Sequence, residues 1–209
     1  MSEVVDLVAR AVEGKAEAQA QLFGEHEQRL RRMLMLRLDR RLQGRLDISD
    51  VLQETYVEFA RAIETYKPRE EMPFYLWLRM VTLRKLATLQ RRFLGTEARD
   101  IRREISLNRG PLPMASSFSL AAGFVGHLTS PSQAAMVTEL QLRIQNTLNE
   151  MEAKDQEVLC LRHFEMLTNL EVAQVLDLTP AAATNRYMRA LRRLRPLLEE
   201  IIETERNCE

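Results

Sequence analysis

Five arginines, Arg186, Arg189, Arg192, Arg193 and Arg195, lie within ten residues that hold no acid, and small polar residues precede them. A helix of this kind can present Thr179, Ala181, Ala182, Thr184 and Asn185 to base edges at its N-terminal end. Arg186, Arg189 and Arg192 then reach phosphates farther along. Bulky side chains at the first turn would hold such a helix off the bases. Upstream, Asp155 can cap a helix through Phe164, and Thr168-Asn169-Leu170-Glu171 has the threonine and glutamate spacing of a capping box. Asp177-Leu178 reads as a turn in which aspartate can take the left-handed conformation more often filled by glycine, and Thr179-Pro180 opens the next helix with an N-cap and a first-turn proline. Together these residues read as a helix-turn-helix. A helical hairpin whose arginines only solubilise it is the competing reading.

A second basic run holds Arg79, Arg84, Lys85, Arg91, Arg92, Arg99, Arg102 and Arg103 against only Glu97 and Asp100. The acids gather in the first turns of the chain and between residues 47 and 71. Asp50, Gln53, Glu54 and Glu58 fall on one face of a helix there, a surface suited to a basic partner. An ordinary solvated face would look the same. Formal net charge is zero, yet the chain is polarised, and local excess of Lys and Arg is what phosphate binding requires. Catalytic parts are missing from the sequence: it has no glycine-rich phosphate loop, no nucleophile elbow and no carboxylate pair at a cleft. Cys160 and His163 have the spacing of half a zinc site, but His26 and His127 are isolated and Cys208 is terminal. No catalytic residue, metal, cofactor or small-molecule substrate is therefore expected.

These residues need scaffolding, and the hydrophobic pattern supplies helices throughout. Apolar residues recur at helical spacing and period-two alternation never persists, which predicts an all-α chain. One helix is expected over 16–42, with Leu22, Phe23, Leu30, Met33, Leu34, Leu38 and Leu42 inside, and a second over 48–66, ended by Lys67-Pro68. A third starts at Pro73 and runs to about Phe93. Glycine, proline and serine then break the pattern, although Phe118, Leu120, Phe124, Val125 and Leu128 could form one short apolar helix. The expected organisation is two small helical domains, 16–94 and 139–203, joined by a long linker, 95–138, after a leader, 1–15. No apolar run reaches the roughly 20 residues of a bilayer span, the start lacks signal-peptide order, and two cysteines form no disulfide framework. A cytoplasmic location without membrane insertion is the expectation.

Asp47-Ile48-Ser49-Asp50-Val51-Leu52-Gln53-Glu54-Thr55-Tyr56-Val57-Glu58-Phe59 resembles region 2.2 of bacterial RNA polymerase sigma factors. Phe74-Tyr75-Leu76-Trp77-Leu78 with its basic helix resembles regions 2.3 and 2.4, and residues 148–198 resemble region 4, with Glu157-Val158-Leu159 and Ala190-Leu191-Arg192-Arg193-Leu194. The small size, with nothing like regions 1.1 or 3, resembles the extracytoplasmic-function group of the sigma-70 family. The resemblance implies that Asp50, Gln53, Glu54 and Glu58 dock on the clamp helices of the polymerase β′ subunit. It implies that the loop 67–72, with Lys67 and Arg69, and the helix bearing Arg79, Arg84, Lys85, Gln90 and Arg91 recognise and open the −10 promoter element. A base pulled from the stack costs a few kcal/mol, offset by contacts to the base and to single-strand phosphates. Trp77 is expected in the core. The region 4 helix becomes the −35 reader. Leu83-Arg84 stands where members often have Arg-Asn, and Asp177 where they usually have glycine. The implied partners are core RNA polymerase and promoter DNA, with an anti-sigma factor as a further candidate. The alternative is a helix-turn-helix regulator that forms no holoenzyme.

Overall fold

The structure is a computed structural model that describes residues 2–39, 42, 44–69, 72–94, 143, 144, 146–148 and 150–206, with side chains described from 5 to 196. The expected linker patch, Phe118 to Leu128, and the bases Arg99, Arg102 and Arg103 lie outside the described residues. The chain divides into two compact units, Met1–Leu107 and Asn108–Glu209, each built from helices. Among the described residues the one strand-like feature is an isolated bridge between Arg69 and Met72.

The first unit begins with a helix where a leader was expected. Helix α1, Ser2–Val12, packs on α2, Ala16–Arg37, and buries Leu7, Val8 and Ala11. Gly14, at φ +83°, lets the chain reverse between them, and the Gln19 amide donates to the Ala11 carbonyl at 3.0 Å. The eleven residues of α1 follow the amphipathic rule as well as any in the chain, but they are separated from α2 by a turn and match no recognisable motif.

Helix α2 ends at Arg37, five residues before the expected Leu42. Leu38, Leu42 and Leu46 are nevertheless all buried. The backbone becomes extended at Leu38 and then turns, with Leu42 and Leu46 N–H groups bonded to Asp39 and Leu42 carbonyls. Leucines spaced by four thus face the core from a turn, which helical periodicity alone does not distinguish from a helix. Helix α3, Ile48–Ala62, is capped by Asp47, whose carboxylate accepts the Ser49 N–H at 2.7 Å. A 3-10 turn, Ile63–Thr65, follows it, and helix α4, Phe74–Leu94, starts after Pro73. Phe23, Tyr56, Phe59, Tyr66, Phe74 and Trp77 form one connected ring cluster between α2, α3 and α4. Trp77 is half-buried within it, as expected of a core residue.

In the second unit α5 is Ala153–His163, α6 is Asn169–Leu176 and α7 is Pro180–Arg206. α5 starts after Glu152, not at Asp155. Asp155 sits in its first turn, fully buried, with neither carboxylate oxygen hydrogen-bonded in the structure. Ile144 and Leu148, which are helical and buried, complete this core with Val158, Leu159, Leu161, Val172, Ala183, Ala190 and Leu194. Ala190 is buried on α7, and Tyr187 and Leu191 on the same helix are half-buried.

Candidate nucleic-acid and polymerase interface

α3 exposes Asp50, Gln53, Glu54 and Glu58 while Val51, Leu52, Thr55 and Phe59 are buried. The Thr55 hydroxyl disposes of its own polarity by donating to the Val51 carbonyl at 2.7 Å, so this residue joins the core. Val57, exposed between the acids, adds an apolar centre to the face. The acids are not without basic neighbours, however. Lys85 reaches across from α4, its ammonium 3.2 Å from the Glu54 carboxylate and 3.7 Å from that of Glu58. The stripe thus carries a lysine from the neighbouring helix beside Glu54 and Glu58.

α4 divides the residues expected at the −10 strand. Arg84 and Arg91 are exposed, and Thr88 and Arg92 share that face at spacings of three to four residues. The Arg91 guanidinium donates to the Ala87 carbonyl and the Thr88 hydroxyl, both at 3.2 Å, which orders it along the helix. Arg79 and Gln90 are buried, at 4% and 2% exposure, and the Gln90 amide donates to the Arg37 carbonyl at 3.1 Å. Both lie on the buried side of α4 rather than on the face that bears Arg84 and Arg91. Lys85, held by the two glutamates, is likewise turned away from the Arg84 face. Thr88 and Arg92, four and eight residues after Arg84, are its neighbours on this helix face.

Between the 3-10 turn and α4 the loop exposes Lys67 and Arg69. It is closed at its base by the Met72 N–H donating to the Arg69 carbonyl at 3.0 Å, and the Tyr66 hydroxyl lies 3.5 Å from the Met72 carbonyl. Burial raises the pKa of the Tyr66 phenol.

The helix-turn-helix of the second unit follows its caps. The Thr168 hydroxyl accepts the Glu171 N–H at 3.2 Å while the Glu171 carboxylate accepts the Thr168 N–H at 2.7 Å. Asp177 holds the left-handed turn at φ 53°, and Met166 occupies the same region at φ 55°. The Thr179 hydroxyl accepts the Ala182 N–H at 3.2 Å, and the Asn169 amide crosses the turn to the Pro180 carbonyl at 2.9 Å. Thr179, Ala181, Thr184, Asn185, Arg189 and Arg192 are exposed on α7, and Ala182 and Arg186 are half-buried. The Thr184 hydroxyl donates to the Pro180 carbonyl at 3.0 Å. Tyr187 is pinned from α5, its hydroxyl 3.1 Å from the His163 ring nitrogen and its ring 5.4 Å from the Arg162 guanidinium. His163 thus makes a hydrogen bond that positions α7.

Comparison with known proteins matches both units. The family description "Sigma-70 region 2" covers residues 22–92, and "Sigma-70, region 4" covers residues 141–194. The chain belongs to the sigma-70 family. Among curated relatives, the RNA polymerase sigma factor CnrH of Cupriavidus metallidurans is 28% identical over 155 residues, 73% of this chain and 74% of CnrH. The ECF RNA polymerase sigma-E factor of Haemophilus influenzae is 23% identical over 184 residues, 88% of this chain and 89% of that protein. A solved structure of CnrH in complex with the cytosolic domain of CnrY has the same fold, with a TM-score of 0.53 at 22% identity, covering 93% of this chain and 96% of that one. The protein is an alternative sigma factor of the extracytoplasmic-function type. It binds core RNA polymerase and promoter DNA and directs transcription initiation, and the reading as a regulator that forms no holoenzyme is not favoured. Sigma factors are initiation factors rather than enzymes. No helix among the described residues is long and apolar enough to cross a membrane.

Proposed function

We propose that the exposed face of α3, with Asp50, Gln53, Glu54, Val57 and Glu58, is the dock for core polymerase. Lys67, Arg69, Arg84 and Arg91 then follow the −10 strand, and Thr179, Ala181, Ala182, Thr184, Asn185, Arg186, Arg189 and Arg192 read the −35 element. Residues 16–94 serve as the polymerase and −10 domain and 139–203 as the −35 domain. The observation that carries this assignment is the split of α4: Arg79 and Gln90 are buried, Lys85 faces the acids of α3, and the arginines left on its outer face are spaced along one line. A line of cations with no acid among them suits a strand of phosphates, whereas an acidic face around an apolar centre suits a basic protein surface.

The factor acts in the cytoplasm, where its polymerase is, and carries no catalytic centre of its own. An anti-sigma protein is a further partner, supported by the relative CnrH having been solved with the cytosolic domain of CnrY. Charge reversal, Asp50→Lys with Glu54→Lys, tests the dock. Core polymerase binding should weaken while a −35 duplex is still bound by the chain. Loss of duplex binding with polymerase binding intact would overturn the assignment. Arg189→Ala should lower −35 affinity and reduce the log-log salt slope by about 0.9, the value for one phosphate contact.

A further inference from the structure

We infer that Tyr66 is a positioning residue for −10 base selection, a clasp at the root of the loop that exposes Lys67 and Arg69. The inference rests on the reading of that loop as the −10 contact. Tyr66 is only 7% exposed, so it is not itself a DNA contact. It stands at the point where the 3-10 turn hands over to the loop, its N–H bonded to the Ile63 carbonyl at 2.9 Å. From there its side chain reaches the far end of the same loop. The ring lies 4.8 Å from Trp77 and, edge-on, 5.5 Å from Phe74, both in the first turn of α4, and its hydroxyl approaches the Met72 carbonyl. One side chain therefore ties the entry of the loop to its exit. The turn that carries Tyr66 also backs onto α1, so the root of the loop is packed from both sides.

The physical consequence concerns discrimination. A loop selects one base over another only if its contact groups are held within fractions of an ångström of the productive position, and loops are held by what packs beneath them. The described part of this loop has a single backbone bond of its own, from Met72 to Arg69. The aromatic contacts of Tyr66 are the larger restraint. At 3.5 Å the hydroxyl contact is long for a hydrogen bond, so the ring carries most of the positioning.

The test uses holoenzyme reconstituted with the full chain and a set of promoters that differ only in the unpaired −10 base. The readout is the ratio of transcript yield between the best and worst base. Tyr66→Leu should lower this ratio by about fivefold, the low end of what one base-reading contact contributes. Tyr66→Phe should keep it within about twofold, because the ring remains. Should Tyr66→Leu fail to accumulate as folded protein, Tyr66→Met, which keeps apolar bulk without a ring, takes its place with the same expectation. A fall in yield that is equal for all bases, leaving the ratio unchanged, overturns the inference, as does a Phe variant that behaves like Leu. A Lys67→Ala, Arg69→Ala double variant separates the two levels. If that variant also leaves the ratio unchanged, the reading of the loop has failed. If it changes the ratio and Tyr66→Leu does not, only the role of Tyr66 has.

Discussion

Lys85 offers the sharpest quantitative test, because it joins the acidic face of α3 to the basic helix α4. Its side chain is 17% exposed, and its ammonium lies 3.2 and 3.7 Å from the carboxylates of side chains that are 52% and 49% exposed. At water-like dielectric each pair has a gross attraction of about 1 kcal/mol. Ordering three long side chains and screening by salt reduce that, and half-exposed pairs contribute about 0.5 kcal/mol each after this discount. A double-mutant cycle of Lys85→Met with Glu54→Gln should therefore return a coupling energy of about 0.5 kcal/mol at low salt, shrinking toward zero near 1 M salt as the Debye length falls to about 3 Å. Urea unfolding followed by fluorescence is the assay. Trp77 is the chain's sole tryptophan and lies in the first unit, so the signal reports on the unit that contains the cycle. The same substitution has a functional arm. With its charge committed to α3, Lys85→Met should leave the salt slope of −10 single-strand binding by the holoenzyme unchanged, whereas Arg84→Ala or Arg91→Ala should each lower it by about 0.7. A coupling of zero at low salt, or a Lys85→Met slope change equal to that of Arg84→Ala, would refute the division of α4 into inner and outer charges.

Thr168→Ala removes half of the capping box and should destabilise the second unit by about 1 kcal/mol in thermal unfolding. Gln90→Ala empties a buried site and frees the Arg37 carbonyl, so it should lower the stability of the first unit by roughly 2 kcal/mol in urea unfolding. Its effect on transcription should be the same on every promoter, and a change in base preference would place Gln90 at the DNA after all. Met166 is exposed and left-handed, a conformation that disfavours any side chain, so Met166→Gly should raise the melting temperature, by the equivalent of about 0.5–1 kcal/mol. A lower melting temperature would mean that the Met166 side chain makes contacts worth more than the strain. Burial holds the Tyr66 pKa above its ordinary value near 10, which favours the neutral phenol in the folded state. Its stabilising contribution is whole below the unfolded-state pKa and is lost as pH rises through the folded one, so Tyr66→Phe should flatten the decline in stability above about pH 10. Identical alkaline limbs would remove burial of the phenol as a cause.

How much of this protein could be read from residue order depends on the range of the interaction. The capping box of Thr168 and Glu171, the left-handed Asp177 and the Thr179-Pro180 start of α7 lie within a few residues of their partners, so their chemistry is written locally. The same holds for Asp47 before α3 and for the buried spacing of Leu52, Thr55 and Phe59. What could not be read was which way a doubly used helix faces. α4 is apolar and polar together, and its local pattern grouped Arg79 and Gln90 with the exposed Arg84 and Arg91; only tertiary packing buried those two. The ion pairs of Lys85 span residues 31 and 27 positions apart, and the bond from His163 to Tyr187 spans 24. α1 went unread because its burial depends on a surface of α2 that no local motif announces. Residue order by itself determined where α3, α6 and α7 start, how α6 and α7 are capped and which family of sites they carry, since those depend on neighbours along the chain. The tertiary structure decided which charges meet and which stay outside, because electrostatic pairing and desolvation depend on distance in space, and a half-turn of one helix exchanges the two.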